Sequence, residues 1–139
     1  MSSQPAYLQP DGVGAPLGPY SHLSRVGDLA FVAGQVGLDA DGELAGSDLA
    51  PQARQAFANI RAIIESQGGD LRSVLKFTTY LIGVENIERF YAVRAEVFPD
   101  LYPEGEYPPN TLLVVDRLVK PEFLVEIEAV AYLGDASAA

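Results

Sequence analysis

The sequence predicts an α+β fold in which two helices cover one face of a mixed β-sheet. Apolar residues recur at helical spacing in two segments, whereas β-branched and aromatic residues concentrate in shorter runs. The 10 prolines and 13 glycines cluster at the N-terminus, at 27–46 and at 99–109, as expected of turns between strands. The predicted order is β-β-(β)-α-β-α-β-β. Two helices cannot cover both sheet faces, so we expect the second face to be buried in an oligomer.

A hairpin opens the predicted sheet. Gly27-Asp28 separates two apolar-leaning runs, and a small flexible pair between such runs favours a tight turn between strands at 20–26 and 29–35. Asp41-Gly42 and Gly46 then indicate turns, with a brief strand between them as an option.

The first helix follows from a capping residue and a regular apolar face. Ser47 or Asp48 is a suitable N-cap, Pro51 fits the first turn, and Gly68-Gly69 ends the segment. The apolar residues at three-and-four spacing are Ala53, Ala56, Phe57, Ile60, Ile63 and Ile64. The helix should therefore lie with this face on the sheet.

The second half of the chain predicts three strands and a helix. Residues 73–83 predict a central strand, and Asn86 to Phe98 predicts a helix that Pro99 ends. The run 111–118 is apolar at successive positions, as expected of a strand covered on both sides. Residues 122–133 alternate, which places Glu126 and Glu128 on the face opposite to Phe123, Val125 and Ile127.

Length and charge limit the classes of function. A chain of 139 residues predicts one domain, residues 1–139, with flexible ends at about 1–15 and 134–139. The net charge of −10 opposes binding to nucleic acid. No cysteine and one histidine leave no zinc–thiolate or multi-histidine metal site, and the glycine pairs lack the spacing of a phosphate loop or dinucleotide fingerprint, so no metal or nucleotide cofactor is expected. No signal peptide or membrane span is evident, which favours a cytoplasmic protein without a membrane partner.

Glu126 is the first candidate for chemistry. A carboxylate on a buried strand must be hydrogen-bonded, ion-paired or protonated, because burial removes its hydration. Glu126 and Glu128 are therefore either structural ion-pair partners, for example across a subunit boundary, or a site in which burial and like charge raise the pKa of a general acid or base.

Other residues admit both structural and functional interpretations. Tyr20, after Gly18-Pro19, is either a half-buried strand tyrosine or a tyrosine whose hydroxyl faces a cleft. Gly34 in "AGQVG" marks either a β-bulge or a place where a ligand approaches the backbone. His22 and Asp70 are interpreted as structural, the second as the cap of a turn.

Several segments in order resemble the RidA/YjgF family of reactive-intermediate deaminases. They are "GPYSH", "LAFVAGQVGLD", "QARQAFANIRAIIESQGGDLRSVLKFTTYL", "FYAVRAEVF" and "LVEIEAVA", and the resemblance runs from about Val13 to Leu133. It implies a chorismate-mutase-like fold assembled as a homotrimer, with the sheets inward and the helices outward. It also implies clefts between subunits that bind a small metabolite.

The resemblance implies a reaction and residues for it. Active members hydrolyse enamines and imines, without metal or cofactor, to a 2-oxo acid and ammonia. Tyr20 matches the cleft tyrosine of the family, Gly34 matches the glycine of its "SGQ" motif, and Glu126 matches the glutamate associated with positioning water.

Two positions depart from the pattern that the family implies. Asn110 in "PPNT" stands where active deaminases have an arginine that holds the substrate carboxylate, and Ala33 stands where a serine is common. Loss of a charged partner in a desolvated cleft costs on the order of 2–5 kcal/mol. Arg94, on the apolar stripe of the second helix, is an alternative cation for the cleft or a partner for Glu126 or Glu128.

These observations leave two functions open. The first is a divergent, cofactor-free hydrolase or deaminase of small enamines or imines with an altered substrate range, using Glu126 and Tyr20 as catalytic residues. The second is a non-catalytic trimer that binds a small metabolite or another protein. The endoribonuclease or translation-inhibitor label that is sometimes attached to the family is disfavoured by the net charge.

Overall fold

The structure, a computed structural model, describes residues 4–134 and contains one mixed sheet with two helices. The helices are α1, Leu49–Glu65, and α2, Asn86–Leu101. The six strands are β1 Ala6–Leu8, β2 Leu23–Val26, β3 Leu29–Gln35, β4 Val74–Ile82, β5 Asn110–Val115 and β6 Val125–Tyr132. A short 3-10 turn, Leu71–Ser73, precedes β4.

The strand order in the sheet is β1-β2-β3-β6-β4-β5. Only β4 and β5 run parallel, because α2 carries the chain back across the sheet between them. The last strand, β6, lies between β3 and β4. Residues far apart in the sequence therefore meet across the centre of the sheet, and the predicted mixed sheet with two helices is confirmed.

Both helices lie on one face of the sheet. The predicted apolar face of α1 is buried as a whole, with Ile60 and Ile63 fully inaccessible. On β6, Val125, Ile127 and Ala131 are also fully buried on this helix face, as the alternating pattern predicted. Burial of each valine or isoleucine side chain stabilises a fold by about 1.5–3 kcal/mol, so this layer is the main source of stability.

The opposite face of the sheet carries large apolar side chains that remain exposed. Along each strand, residues on this open face alternate with residues on the helix face, as the register shows. Its side chains with 37–48% exposure include Val26, Leu29, Phe31, Leu113 and Tyr132. An apolar surface of this kind is typical of an interaction site.

The turn chemistry predicted from the sequence is confirmed in three places. The hairpin turns at Gly27, whose φ of 58° is readily adopted by glycine. The optional brief strand is one isolated bridge between Leu38 and Leu44. Asp70 caps the 3-10 turn, where its side chain accepts from the backbone N–H of Arg72 at 2.7 Å.

The chain ends differ from the expectation in part. Ala6–Leu8 forms β1 and pairs with β2, an element that the sequence analysis did not predict because three residues carry too little periodicity. Residues 1–3 and 135–139, which include most of the expected flexible C-terminal end, lie outside the described residues. Neither helix in the described range is long and apolar enough to cross a bilayer.

Three details of α2, β5 and the cap of α1 add to the sequence predictions. Helix α2 continues past Pro99 to Leu101, since a proline in the last turn removes one N–H while Tyr102 N still bonds to the carbonyl of Phe98 at 2.7 Å. Strand β5 is the edge strand of the sheet, and its Leu113 and Val114 are 42% and 40% exposed in a single copy, so the expected cover on both sides requires a second copy. Asp48 is the N-cap of α1 but makes no side-chain capping bond.

Candidate active site

The carboxyl group of Glu126 lies directly over Gly34. The register between β3 and β6 shifts between Val32 and Gln35, so a β-bulge places Gly34 beside β6. A Cβ on Gly34 would overlap Glu126 Oε2 and lie 2.7 Å from its Cδ. The bulge and the close approach, which the sequence analysis treated as alternatives, therefore occur together. Glycine is needed here for space, since its φ lies outside the left-handed region.

Burial raises the pKa of Glu126, and the negative charge of Glu128 raises it further. Within residues 4–134, no side chain donates a hydrogen bond to the carboxyl group of Glu126. Neither glutamate forms an ion pair inside this part of the chain. A half-buried carboxyl group with a raised pKa and free oxygens is suited to exchange protons with a bound molecule.

Tyr80 and Glu128 extend this cluster across the sheet. Tyr80 lies opposite Glu126 in the register of β4 and β6, and its hydroxyl donates a hydrogen bond to Glu128 Oε1. This hydrogen bond raises the pKa of the Tyr80 phenol, with smaller contributions from burial and from the charges of Glu128 and Glu126. Sequence reasoning missed Tyr80 because only the strand register shows which β4 side chain faces Glu126.

A depression of about 410 Å³ on the open face contains this cluster, which we call the carboxylate pocket. Its lining residues are Gly34, Tyr80, Val115, Arg117, Leu118, Val119, Glu126 and Glu128. Arg117 is the cation among these lining residues. Its Nε donates to the carbonyl of Leu118 at 3.2 Å, which fastens the guanidinium to its own loop.

Tyr20 lies near the bulge but does not line the carboxylate pocket. Its hydroxyl accepts from the backbone N–H of Leu17 at 3.2 Å, and the side chain is 45% exposed. His22 supports the bulge instead. Its Nε2 donates to the carbonyl of Gly14 at 2.6 Å, and its Nδ1 accepts from Gln35 at 3.1 Å. Ala33, between Val32 and Gly34, bonds through its N–H to the carbonyl of His22 at 2.9 Å.

Asn110 and Arg94 lie on the other side of the sheet. Asn110 pairs in register with the buried Phe77, and its Oδ1 accepts from the hydroxyl of Thr79 at 2.8 Å. With Arg94 it lines a pocket of about 460 Å³ under α2, which we call the aromatic pocket. Arg94 stacks on the rings of Phe90 and Tyr91, with its Cζ 5.3 and 4.8 Å from their centroids.

The predicted site residues are thus divided between two faces of one sheet. Glu126 and Gly34 belong to the carboxylate pocket on the open face, whereas Asn110 and Arg94 belong to the aromatic pocket on the helix face. Arg94 therefore makes no ion pair with Glu126 or Glu128 of its own chain, and a site that contains both groups requires a second copy.

Comparisons with known proteins agree on one protein family. A sequence model of the family described as Endoribonuclease L-PSP matches residues 13–133. A RutC family protein of Pyrococcus horikoshii is 40% identical over 119 residues, which are 84% of this chain and 89% of that protein. A protein of Dermatophagoides farinae named 2-iminobutanoate/2-iminopropanoate deaminase is 26% identical over 75% of this chain and 87% of its own.

A solved structure gives the same result. The crystal structure of the YjgF gene product of Escherichia coli superposes with a TM-score of 0.83 at 26% identity, covering 91% of this chain and 98% of that one. The matched residues, the RutC relative and the shared fold show that the chain belongs to the Endoribonuclease L-PSP family, which is the RidA/YjgF family that the sequence resembles.

Proposed function

We propose that this protein is a cofactor-free hydrolase that deaminates enamines or imines of small metabolites in clefts between the subunits of a homotrimer. The observation that carries the proposal is the carboxyl group of Glu126, which is half-buried, has a raised pKa and lies in the space above Gly34. A relative named as an imine deaminase supports the reaction class.

The reaction needs one group that can both accept and donate a proton. An enamine first gains a proton at carbon and loses one from nitrogen, which makes it an imine. A water molecule then adds to the C=N carbon, and Glu126 takes a proton from the water and passes it to the nitrogen. The C–N bond of this carbinolamine breaks as Glu126 moves the hydroxyl proton to the leaving nitrogen, and the products are a 2-oxo compound and ammonia. Water is consumed, and Glu126 ends in its starting state.

The exposed face of the sheet supports the trimer. Three copies that bury their open faces against one another would cover the exposed Phe31, Leu113 and Tyr132. Because Asn110 of the aromatic pocket stands on the edge strand β5, we propose that this edge of the sheet lies beside the carboxylate pocket of the neighbouring copy. In this arrangement Tyr20 orients the substrate, and Ala33, Asn110 and Arg94 contribute to binding.

Glu126→Gln tests the proposal, since glutamine keeps the shape of the side chain but cannot exchange a proton. We expect imine hydrolysis to fall by about 10²- to 10⁴-fold in an assay of 2-oxo acid release. Glu122→Gln is the matched control, because this glutamate is exposed and does not line the pocket. Rates near background across a panel of imines, unchanged in Glu126→Gln, would remove the enzymatic function.

A second function, a non-catalytic module that binds a metabolite or a protein, is favoured by Asn110 and Ala33. A neutral amide already engaged by Thr79 holds a substrate carboxylate less strongly than the forked cation of an arginine. This function predicts saturable ligand binding without release of ammonia, and unchanged binding in Glu126→Gln.

A further inference from the structure

The aromatic pocket has the composition of a binding site for a ring. It lies between α2, the start of β4 and the residues that precede β5, and six aromatic side chains contribute to its wall. They are Phe57, Phe77, Phe90, Tyr91, Phe98 and Tyr107. Phe98 and Tyr107 stack at 5.9 Å near its rim, where Tyr107 is 58% exposed. Such walls bury planar apolar groups with specific ring contacts.

Arg94 is the charged residue among the lining residues of this pocket. The chain has 19 acidic residues, yet no carboxylate in residues 4–134 lies within ion-pair distance of Arg94. Contacts with the rings of Phe90 and Tyr91 hold the guanidinium in place, and its N–H groups donate to no described residue. A guanidinium held in this way can donate two parallel hydrogen bonds to a carboxylate.

Asn110 adds a second donor at the same pocket. Because its Oδ1 already accepts from Thr79, the group that it can offer to a ligand is its NH₂. The guanidinium and this amide are both hydrogen-bond donors, so the polar part of the pocket suits a ligand that carries acceptor oxygens. The aromatic walls suit the rest of that ligand.

We propose that the aromatic pocket binds carboxylates that carry an aromatic or bulky apolar group, with Arg94 as the cation that holds the carboxylate. The substrates are then imines or enamines of aromatic and large apolar amino acids, rather than of the smallest ones. The substrate class rests on the proposed function, whereas binding of the carboxylate does not.

Three probe molecules test the binding by ligand-observed NMR on the full chain. Phenylpyruvate has both the ring and the carboxylate, pyruvate lacks the ring, and 2-phenylethanol lacks the carboxylate. We expect phenylpyruvate to bind at least about tenfold more tightly than either of the others, because each lacks one of the two contacts. Equal affinities for phenylpyruvate and pyruvate would overturn the proposal.

Variants locate the site. Arg94→Ala should weaken phenylpyruvate binding by about tenfold or more. The affinity of Arg94→Lys should lie between those of Arg94→Ala and the unchanged protein, since lysine keeps the charge but cannot donate two parallel hydrogen bonds. Arg61→Ala is the matched control, because it removes the same charge from the exposed Arg61–Glu65 pair and Arg61 does not line this pocket. Unchanged binding in Arg94→Ala contradicts the assignment. Tyr91→Leu removes a ring that is 44% exposed and should weaken phenylpyruvate but not pyruvate.

The same variants separate this inference from the proposed function. Phenylpyruvate that binds through Arg94, together with no loss of turnover in Glu126→Gln, supports the inference and contradicts the enzymatic role of Glu126. Turnover that depends on Glu126 but shows no preference for aromatic imines supports the enzymatic role of Glu126 and contradicts the substrate class proposed here.

Discussion

Replacing Gly34 with alanine is the sharpest perturbation of the carboxylate pocket. The new methyl group would occupy the space of the Glu126 carboxyl group, with its Cβ 2.7 Å from Cδ and 2.8 Å from Cγ. Atoms at such distances must move by about 1 Å to reach ordinary contact, and a displacement of this size commonly costs about 10²-fold in rate. The backbone itself is not strained by alanine, because Gly34 is not in the left-handed region.

Gly34→Ala should therefore separate activity from stability. We expect imine hydrolysis to fall by about 10²-fold, while the free energy of unfolding in urea changes by no more than about 1 kcal/mol. The pKa of Glu126, followed by NMR of its carboxyl carbon, should fall toward its ordinary value as the carboxyl group moves out toward water. This second readout does not depend on catalysis.

Two further variants complete the test of Gly34. Gly12→Ala is a control of the same chemical change, since its Cβ would lie 3.3 Å from that of Ala62, away from the lining of the carboxylate pocket. Gly34→Ala should have little additional effect on rate when Glu126 is already glutamine, because both changes act on one group. Full activity in Gly34→Ala, or an unchanged pKa of Glu126, would refute the reasoning.

Three predictions concern stability. Tyr80→Phe removes the donor to Glu128 and should lower the free energy of unfolding in urea by about 1 kcal/mol, whereas Tyr132→Phe, on the same face and without a described hydrogen bond, should not; equal effects would contradict a role for the bond. The folded-state pKa of Glu126 is raised, so the folded chain binds the proton more tightly than the unfolded chain, and stability declines as pH rises from the unfolded pKa through the folded pKa. Glu126→Gln should remove this decline in thermal scans, and a decline of the same size in the variant would contradict the direction of the pKa shift. Asp70 behaves oppositely: the hydrogen bond from Arg72 lowers its pKa, so its contribution is present above the unfolded pKa and is lost as pH falls through the folded pKa, and Asp70→Ala should cost about 1 kcal/mol at neutral pH while Asp70→Asn, which can still cap the turn, should cost less.

Local sequence patterns predicted the elements that are marked by a turn dipeptide or by a regular apolar spacing over many residues. Gly27-Asp28 identified the hairpin, the spacing of Ala53 to Ile64 identified α1, and the alternation around Glu126 identified its face. Strand β1 and the position of β5 at the sheet edge could not be predicted in this way, because both depend on pairing with strands distant in the sequence.

The candidate site was predicted as a set of residues but not as an arrangement. Glu126 and Gly34 do meet, since β6 pairs with β3 next to the bulge. Asn110 was expected in an inter-subunit cleft with them; within one copy, alternation along β5 directs it to the helix face with Thr79, so that it can meet Glu126 only across a boundary between copies. Tyr80 and Arg117 were missed as members of the pocket because only register and loop geometry bring them to it.

The central claim is that each site combines the carboxylate pocket of one copy with the aromatic pocket of another. Co-refolding an equimolar mixture of Glu126→Gln and Arg94→Ala chains tests it directly, since each variant alone lacks one half of every site. Random assembly into trimers leaves about one site in four with both halves intact, so activity should return to about a quarter of that of the unchanged protein. A mixture no more active than the separate variants, under conditions where the unchanged protein is active, would contradict the claim.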